Sequence, residues 1–503
     1  MSKKNYIIFD FGASNGRAAV ANFDGSGFDM EVTHRFENRP VFAGGTLYWD
    51  ILRLFSELKI SIQRSIKKYS DIRSMGIDTW GADFGLLDGN GKLLSNPINY
   101  RDEQSARDAE SLHEIIPQRE LFELTGAWTN PIFDLFQLYS LKKNNSTAIH
   151  NAKTYLSIGD LFNYFLTGNT SNEFTRFTTS VLYNQKAKKI EESIFEKLGF
   201  SRDIFPGFIY PGQIVGDISD EVAKEFGIKP FPVVAPSTHD TASAVAGIPV
   251  TNNKVKWAFM SLGTWACMGV ENREVLISDE IYDSVFSNEA GVEDTNIFVK
   301  NINGMWVIQQ CRNSWLKNEE LSWVEIVDLS KQAASFSSFI DVDQPQFTAP
   351  QIYMPGVIIQ YCNDTGQRKP DSIGEIARCV YESLALKFRY YLEILEKFSG
   401  QRFEIFHIVG GGTQNRLLCQ WIADTTGKNI IAGPAETTSV GNLLMQLKAD
   451  GEINSVEEGR NISLASSEVL RYSPENTEEW NAAYERFIEI IDKNRIGLDF
   501  SKR

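Results

Sequence analysis

Tyr6-Ile-Ile-Phe-Asp-Phe-Gly-Ala-Ser-Asn-Gly-Arg-Ala-Ala-Val-Ala-Asn-Phe-Asp-Gly25 reads as two apolar runs joined by a glycine-rich turn, with a second turn signal at Asp24-Gly25. The pattern predicts a β-hairpin. A dinucleotide-binding fold places a helix after its glycines and a P-loop ends in Gly-Lys-Ser/Thr, so neither motif is met here. The turn offers backbone amides from Gly12 to Gly16, the hydroxyl of Ser14 and the cation of Arg17, groups able to face phosphate oxygens. A plain tight hairpin accounts for the same residues. Asp10, closing the first run, would repel a phosphate unless Mg²⁺ sat between them.

Trp257-Ala-Phe-Met-Ser-Leu-Gly-Thr-Trp-Ala-Cys-Met-Gly-Val270 repeats the pattern: Met260-Ser-Leu-Gly263 aligns with Phe9-Asp-Phe-Gly12, and Thr264 falls near Ser14. Each half of the chain thus opens on strand, glycine and hydroxyl turn, strand, the mark of two domains of one topology. The length of 503 residues, beyond what one core sustains, points the same way. The expected domains are 1–247 and 248–503. The polar segment Thr251 to Lys254 is the expected hinge for closure on ligands.

Outward from the first hairpin, Ala235-Pro-Ser-Thr-His-Asp-Thr-Ala-Ser-Ala-Val-Ala-Gly247 follows an apolar run and opens a small-residue helix. Asp240 at that helix mouth is either a carboxylate that caps the first turn or a base aimed at a substrate hydroxyl, and the two roles are compatible. Upstream, Ser74 to Asp83 is a strand ending in Thr79, Trp80, Gly81 and Asp83, polar and aromatic residues that suit a sugar; Gly81 is equally a bulge. Asn301 and Gln309 lie eight positions apart, on one face if the segment is helical. Gly410-Gly411-Gly412 follows a strand and precedes the helix Leu417 to Thr426, an arrangement that can cradle a nucleotide. Asp50, Ser372 and Asn476 introduce further helices, the last packing back on the body.

A formal net charge of −15 argues against nucleic acid or an anionic membrane as partner, because both demand clustered Lys and Arg. No apolar run is long enough for a membrane helix or a signal peptide, so the expected location is cytoplasmic. Five well-separated cysteines, without Cys-x-x-Cys, read as buried thiols. Nothing in the sequence sets an oligomeric state.

Placed in order, Asp-Phe-Gly-Ala-Ser-Asn-Gly-Arg (10 to 17), Gly-Ile-Asp-Thr-Trp-Gly-Ala-Asp (76 to 83), Ser-Thr-His-Asp-Thr-Ala-Ser-Ala (237 to 244), Ser-Leu-Gly-Thr-Trp (261 to 265), Asn-Ile-Asn-Gly-Met-Trp (301 to 306) and Ile-Val-Gly-Gly-Gly-Thr-Gln-Asn (408 to 415) resemble the FGGY carbohydrate kinases, nearest their rhamnulokinase branch. The resemblance spans nearly the full chain. It implies an α/β fold of two actin-like ATPase, ribonuclease-H-like domains with a catalytic cleft between them, and an ATP- and Mg²⁺-dependent transfer to a ketose. L-rhamnulose is favoured and L-fuculose is the alternative; a non-catalytic ATP and sugar sensor is the rival of another class. Carried over by position, Asp240 is the proton acceptor; Gly81, His239, Asp240, Thr241 and Asn301 hold sugar. Ala13, Ser14, Asn15, Gly16, Arg17, Thr264, Gln309 and Gly411 hold ATP, with Asp10 toward the metal. Gln104 stands where the family commonly has Arg, which leaves the ketose open.

Overall fold

The computed structural model describes residues 3–250, 255–316 and 320–495. The described residues fall into two compact units. Those of Met1–Thr251, Glu271–Val299 and Glu436–Ser467 form the first, and those of Asn252–Val270, Lys300–Ala435 and Glu468–Arg503 form the second.

In the first unit the predicted hairpin is Lys4–Phe11 paired antiparallel with Asn15–Phe23, in a register that sets Asp10 opposite Arg17. Phe28–Glu37 continues the meander, while Ile72–Thr79 and then Pro232–Ala235 add parallel strands on the other side of Lys4–Phe11. Gln213–Asp217 closes the six-stranded sheet as an antiparallel edge. The helix Ile51–Lys68 starts where Asp50 accepts from the Arg53 amide, and it buries Ile51, Leu54, Leu58 and Ile62 against the sheet.

The second unit repeats the plan. Trp257–Leu262 pairs antiparallel with Trp265–Asn272, Ile405–Val409 runs parallel beside the first of these strands, and Asn429–Ala432 runs parallel beside Ile405–Val409. The long helix Ile373–Ser399 is capped by Ser372 at its start and by left-handed Gly400 at its end. The helix Thr477–Arg495 packs back as expected: Trp480 meets Trp421, with ring centroids 5.8 Å apart, and the Tyr484 hydroxyl donates to Glu393 at 2.7 Å.

The expected division at residue 247 differs from this grouping in two returning segments, 271–299 and 436–467, which join the first unit. The reason is long-range packing. Asn288 donates to the Gly126 carbonyl at 2.7 Å, and the helix Thr437–Ala449 lies directly on the helix Asp240–Gly247. A Cβ added at Gly441 would stand 1.8 Å from the Ser243 carbonyl oxygen, and one at Gly247 would stand 2.3 Å from that of Thr437. The small-residue run after Asp240 therefore exists to let two backbones touch. The expected hinge, Thr251 to Lys254, lies outside the described residues.

Asn301 and Gln309 do not share a helical face. Asn301 lies within the strand Asn296–Asn303, and Gln309 belongs to the helix Trp306–Trp315. Gly304 makes the break: a Cβ there would lie 2.7 Å from the Gly263 carbonyl oxygen, so the chain can pass only as glycine. All five cysteines are thiols. Among the described residues no helix is long and apolar enough to cross a membrane.

Candidate functional site

In the first unit the parallel strands Lys4–Phe11 and Ile72–Thr79 set Asp10 beside Asp78, and the helix Asp240–Gly247 brings a third carboxylate to the same neighbourhood. Asp240 occupies the first helical position after His239, and its Oδ1 accepts from the Thr241 amide at 2.7 Å. Its side chain thus serves the helix's first turn while 39% of it remains accessible. Desolvation, then the charge of Asp10, pushes its carboxyl up to about 6, against the Thr241 hydrogen bonds. Such a group is largely ionised at neutral pH yet more basic than a free carboxylate. Asp78 is fully buried, and desolvation, then the charge of Asp10, holds its carboxyl well above the usual carboxylate range; it accepts from Asn442 at 2.6 Å while its Oδ1 has no partner among the described residues.

The turn from Gly12 to Gly16 is held from below, where Asn38 donates its amide to the Ser14 carbonyl at 3.0 Å and its side chain to that of Gly12 at 2.9 Å. Ser14 and Asn15 are exposed at its tip and Ala13 is half-buried. Gly16 is a packing glycine, since a Cβ there would fall 2.2 Å from the Phe36 ring. The Arg17 guanidinium lies between Asp10 and Glu436, ion-paired to both.

Gly81 and His239 meet in the same unit. A Cβ at Gly81 would lie 2.5 Å from Nε2 of His239, so only glycine admits the ring. His239 is 7% exposed, and burial with the nearby Arg176 cation holds its imidazole down at about 3, hence neutral. Beneath it lies a buried polar frame. Arg176 pairs with Asp134 at 2.9 Å and donates to the Asp83 carbonyl at 2.9 Å; Thr179 donates to the Gly81 carbonyl at 2.8 Å. Glu173 accepts from the Thr238 amide at 3.0 Å. The reading of Trp80 and Asp83 as sugar-facing is corrected here. The Asp83 carboxylate is consumed by Trp49 (2.6 Å), Trp80 (2.9 Å) and Gln137 (2.7 Å), and Trp80 is buried against Trp49.

In the second unit Thr264, Gln309 and Gly411 border one recess of about 610 Å³. Trp323, Val324 and Val327 give it an apolar wall suited to a flat base, and the Tyr381 hydroxyl and Asn415 Nδ2, which border it, have no hydrogen-bond partner among the described residues. The three glycines divide the work. Gly410 has φ +86° and would press on the Leu262 backbone at 3.0 Å, Gly412 would strike the Leu262 side chain at 2.4 Å, but a Cβ at Gly411 meets nothing within 4 Å. Asn301 stands exposed on its strand in this unit.

The chain matches the FGGY family of carbohydrate kinases through its N-terminal domain model over residues 5–247 and its C-terminal domain model over 258–449. This protein belongs to that family. It is 36% identical over 489 residues to the rhamnulokinase of Bacteroides thetaiotaomicron, covering 97% of this chain and 100% of the relative. It is 37% identical over 469 residues to that of Halalkalibacterium halodurans, covering 93% and 98%. The solved xylulose kinase of Lactobacillus acidophilus superposes with a TM-score of 0.82 at 14% identity, covering 99% of each chain, a likeness of fold. The paired hairpin-led sheets of this carbohydrate kinase are thus the actin-like, two-domain architecture that the motifs implied.

Motif reading passed over three carboxylates of the kinase: Asp78 and Glu173, both buried, and Glu289, which is largely enclosed. Asp78 carries a legible signal, a charge directly after the apolar stretch Met75-Gly-Ile77 of the strand Ile72–Thr79. Glu173 and Glu289 reach the site only through long-range folding.

Proposed function

We propose that this kinase transfers the γ-phosphoryl group of ATP to the primary hydroxyl of a ketose, converting L-rhamnulose to L-rhamnulose 1-phosphate. The observation that carries the reading is Asp240, a carboxylate raised to about 6 at a helix start, beside neutral His239, whose ring packs on Gly81. The choice of ketose rests on the near-full-length relatives named rhamnulokinase.

Phosphoryl transfer asks the protein mainly for positioning and charge neutralisation, because the transition state is loose. Asp240 orients the primary hydroxyl and takes its proton as the bond to phosphorus forms. His239, Thr241 and Asn301 hold the remaining sugar hydroxyls, and Gly81 gives the His239 ring the room to do so. The turn from Ala13 to Arg17 supplies amides and a cation to the phosphates, and Thr264, Gln309 and Gly411 hold the nucleotide. Mg²⁺ fits this arrangement as an ion carried on the phosphates that keeps several of its waters: Asp10 and the unpartnered Oδ1 of Asp78 would face it, and among the described residues no cluster of three or more side chains forms a ready cage. When bound, it neutralises charge on the transferring group.

ATP consumption measured against a panel of ketoses and polyols tests the reading. L-rhamnulose is expected to give the highest kcat/KM. A higher value for L-fuculose reassigns the substrate, and no turnover of any member overturns the proposal.

Gly411→Val is expected to fold as the parent does, since its added side chain enters open space, yet to weaken ATP binding at least about tenfold, or ~1.4 kcal/mol. Ketose affinity is expected to be unchanged. Titration calorimetry showing ATP binding intact and ketose binding lost would reverse the assignment of the two ligands.

A further inference from the structure

Glu289 lies on the strand Ser287–Ala290 of the first unit, far in sequence from every motif of the site. Its Oε2 stands 3.4 Å from Nδ1 of His239, and both atoms are buried without a hydrogen-bond partner among the described residues. On the other edge of the same ring, Nε2 stands 3.4 Å from Oδ1 of Asp240. One imidazole therefore bridges the proposed base and a second, more deeply buried carboxyl group. A neutral imidazole has one donor and one acceptor nitrogen, so the group facing Nδ1 decides what Nε2 can do.

We propose that Glu289 is a positioning residue: its protonated carboxyl donates to Nδ1 of His239, keeps the ring proton on Nε2, and so makes His239 a hydrogen-bond donor to a hydroxyl of the ketose held beside Asp240. This rests on the reading that a ketose occupies the position next to Asp240. The surroundings favour the neutral pair. Burial, then the charge of Asp240, pushes Glu289 up to about 8, while burial and the Arg176 cation keep His239 neutral. The strand packs on the helix Phe174–Thr178, which brings Arg176, and across the sheet Glu289 faces apolar Ile297. Once Glu289 ionises, the ring proton moves to Nδ1 and Nε2 becomes an acceptor. The donated hydrogen bond to the sugar is then lost.

Two substitutions and one spectrum test this on the full-length protein. Glu289→Gln presents an amide N–H to Nδ1 and is expected to keep the ketose KM within about threefold of the parent, because the donor is retained. It should also abolish a rise in parental ketose KM above about pH 8. Glu289→Leu is expected to raise ketose KM about 10–30-fold with ATP KM unchanged, the effect of losing one oriented hydrogen bond. Nitrogen-15 NMR of labelled histidine, with the resonance assigned by its loss in His239→Asn, should show the proton on Nε2 at pH 7 in the parent and in Glu289→Gln. A proton on Nδ1 in the parent overturns the proposal, as does Glu289→Leu with both parental KM and parental tautomer. If Glu289→Leu fails to fold, the parental spectrum and the pH profile of Glu289→Gln decide. A parent that turns over no ketose defeats the functional reading instead, and the spectrum still decides the contact.

Discussion

Asp240→Asn is expected to lower kcat by about 10²–10⁴-fold, the usual worth of a general base, while ATP binds as before. The amide keeps the shape of the side chain and can still accept from the Thr241 amide, so the helix start survives; what it lacks is a site for the hydroxyl proton. ATP affinity is expected to persist because Asp240 does not line the recess bordered by Thr264, Gln309 and Gly411 that is assigned to the nucleotide. The pH profile separates this loss from a mere disturbance of binding. With its carboxyl at about 6, Asp240 is the active base above that value and protonated below it. The parental kcat/KM should therefore fall on an acid limb near pH 6, and that limb should be missing from the residual activity of the variant. Steady-state kinetics showing turnover within about threefold of the parent would remove Asp240 from the mechanism, since that is far less than a general base supplies.

The features legible in the sequence were those written locally. Each hairpin is an alternation of apolar residues interrupted by one glycine turn, so Lys4–Phe23 and Trp257–Asn272 could be read before any contact was known. His239-Asp240 stood out because a strand, a turn and a run of small residues surround it in thirteen positions. The misreadings share one cause, satisfaction of a group by a partner distant in the chain. Asp83 looks available beside Gly81 until Trp49, 34 residues away, and Gln137, 54 away, are seen to occupy both of its oxygens. Asn301 and Gln309 have helical spacing, but the tight passage at Gly304 against the Gly263 carbonyl breaks the segment, and that carbonyl lies 41 residues back. The segment 436–467 joins the first unit because Gly441 lets two helix backbones meet, which no period in either helix announces.

Arg176 offers the largest expected effect on stability. Its side chain and that of Asp134 are both 0% exposed, so the pair exists without help from water. Arg176→Met would leave Asp134 charged, buried and without its cation, and breaking a buried pair from one side costs about 3–5 kcal/mol. Asp134 would keep the Tyr155 hydroxyl at 2.7 Å and the Asp83 amide at 3.0 Å, which ease but do not replace a full opposite charge. Adding Asp134→Asn to Arg176→Met removes that charge and should restore a large part of the loss, a non-additivity that distinguishes an orphaned carboxylate from a packing defect. Calorimetric unfolding of parent, single and double variants measures both. A single variant within about 1 kcal/mol of the parent would mean that the carboxylate finds water or a proton at little cost, contrary to its enclosure. Arg176 also donates to the Asp83 carbonyl and to Thr179, whose hydroxyl holds the Gly81 carbonyl under the His239 ring. Any folded fraction of Arg176→Met should therefore show a raised ketose KM with ATP KM unchanged, because the frame it loosens lies under Gly81 and His239, the residues proposed to hold the sugar.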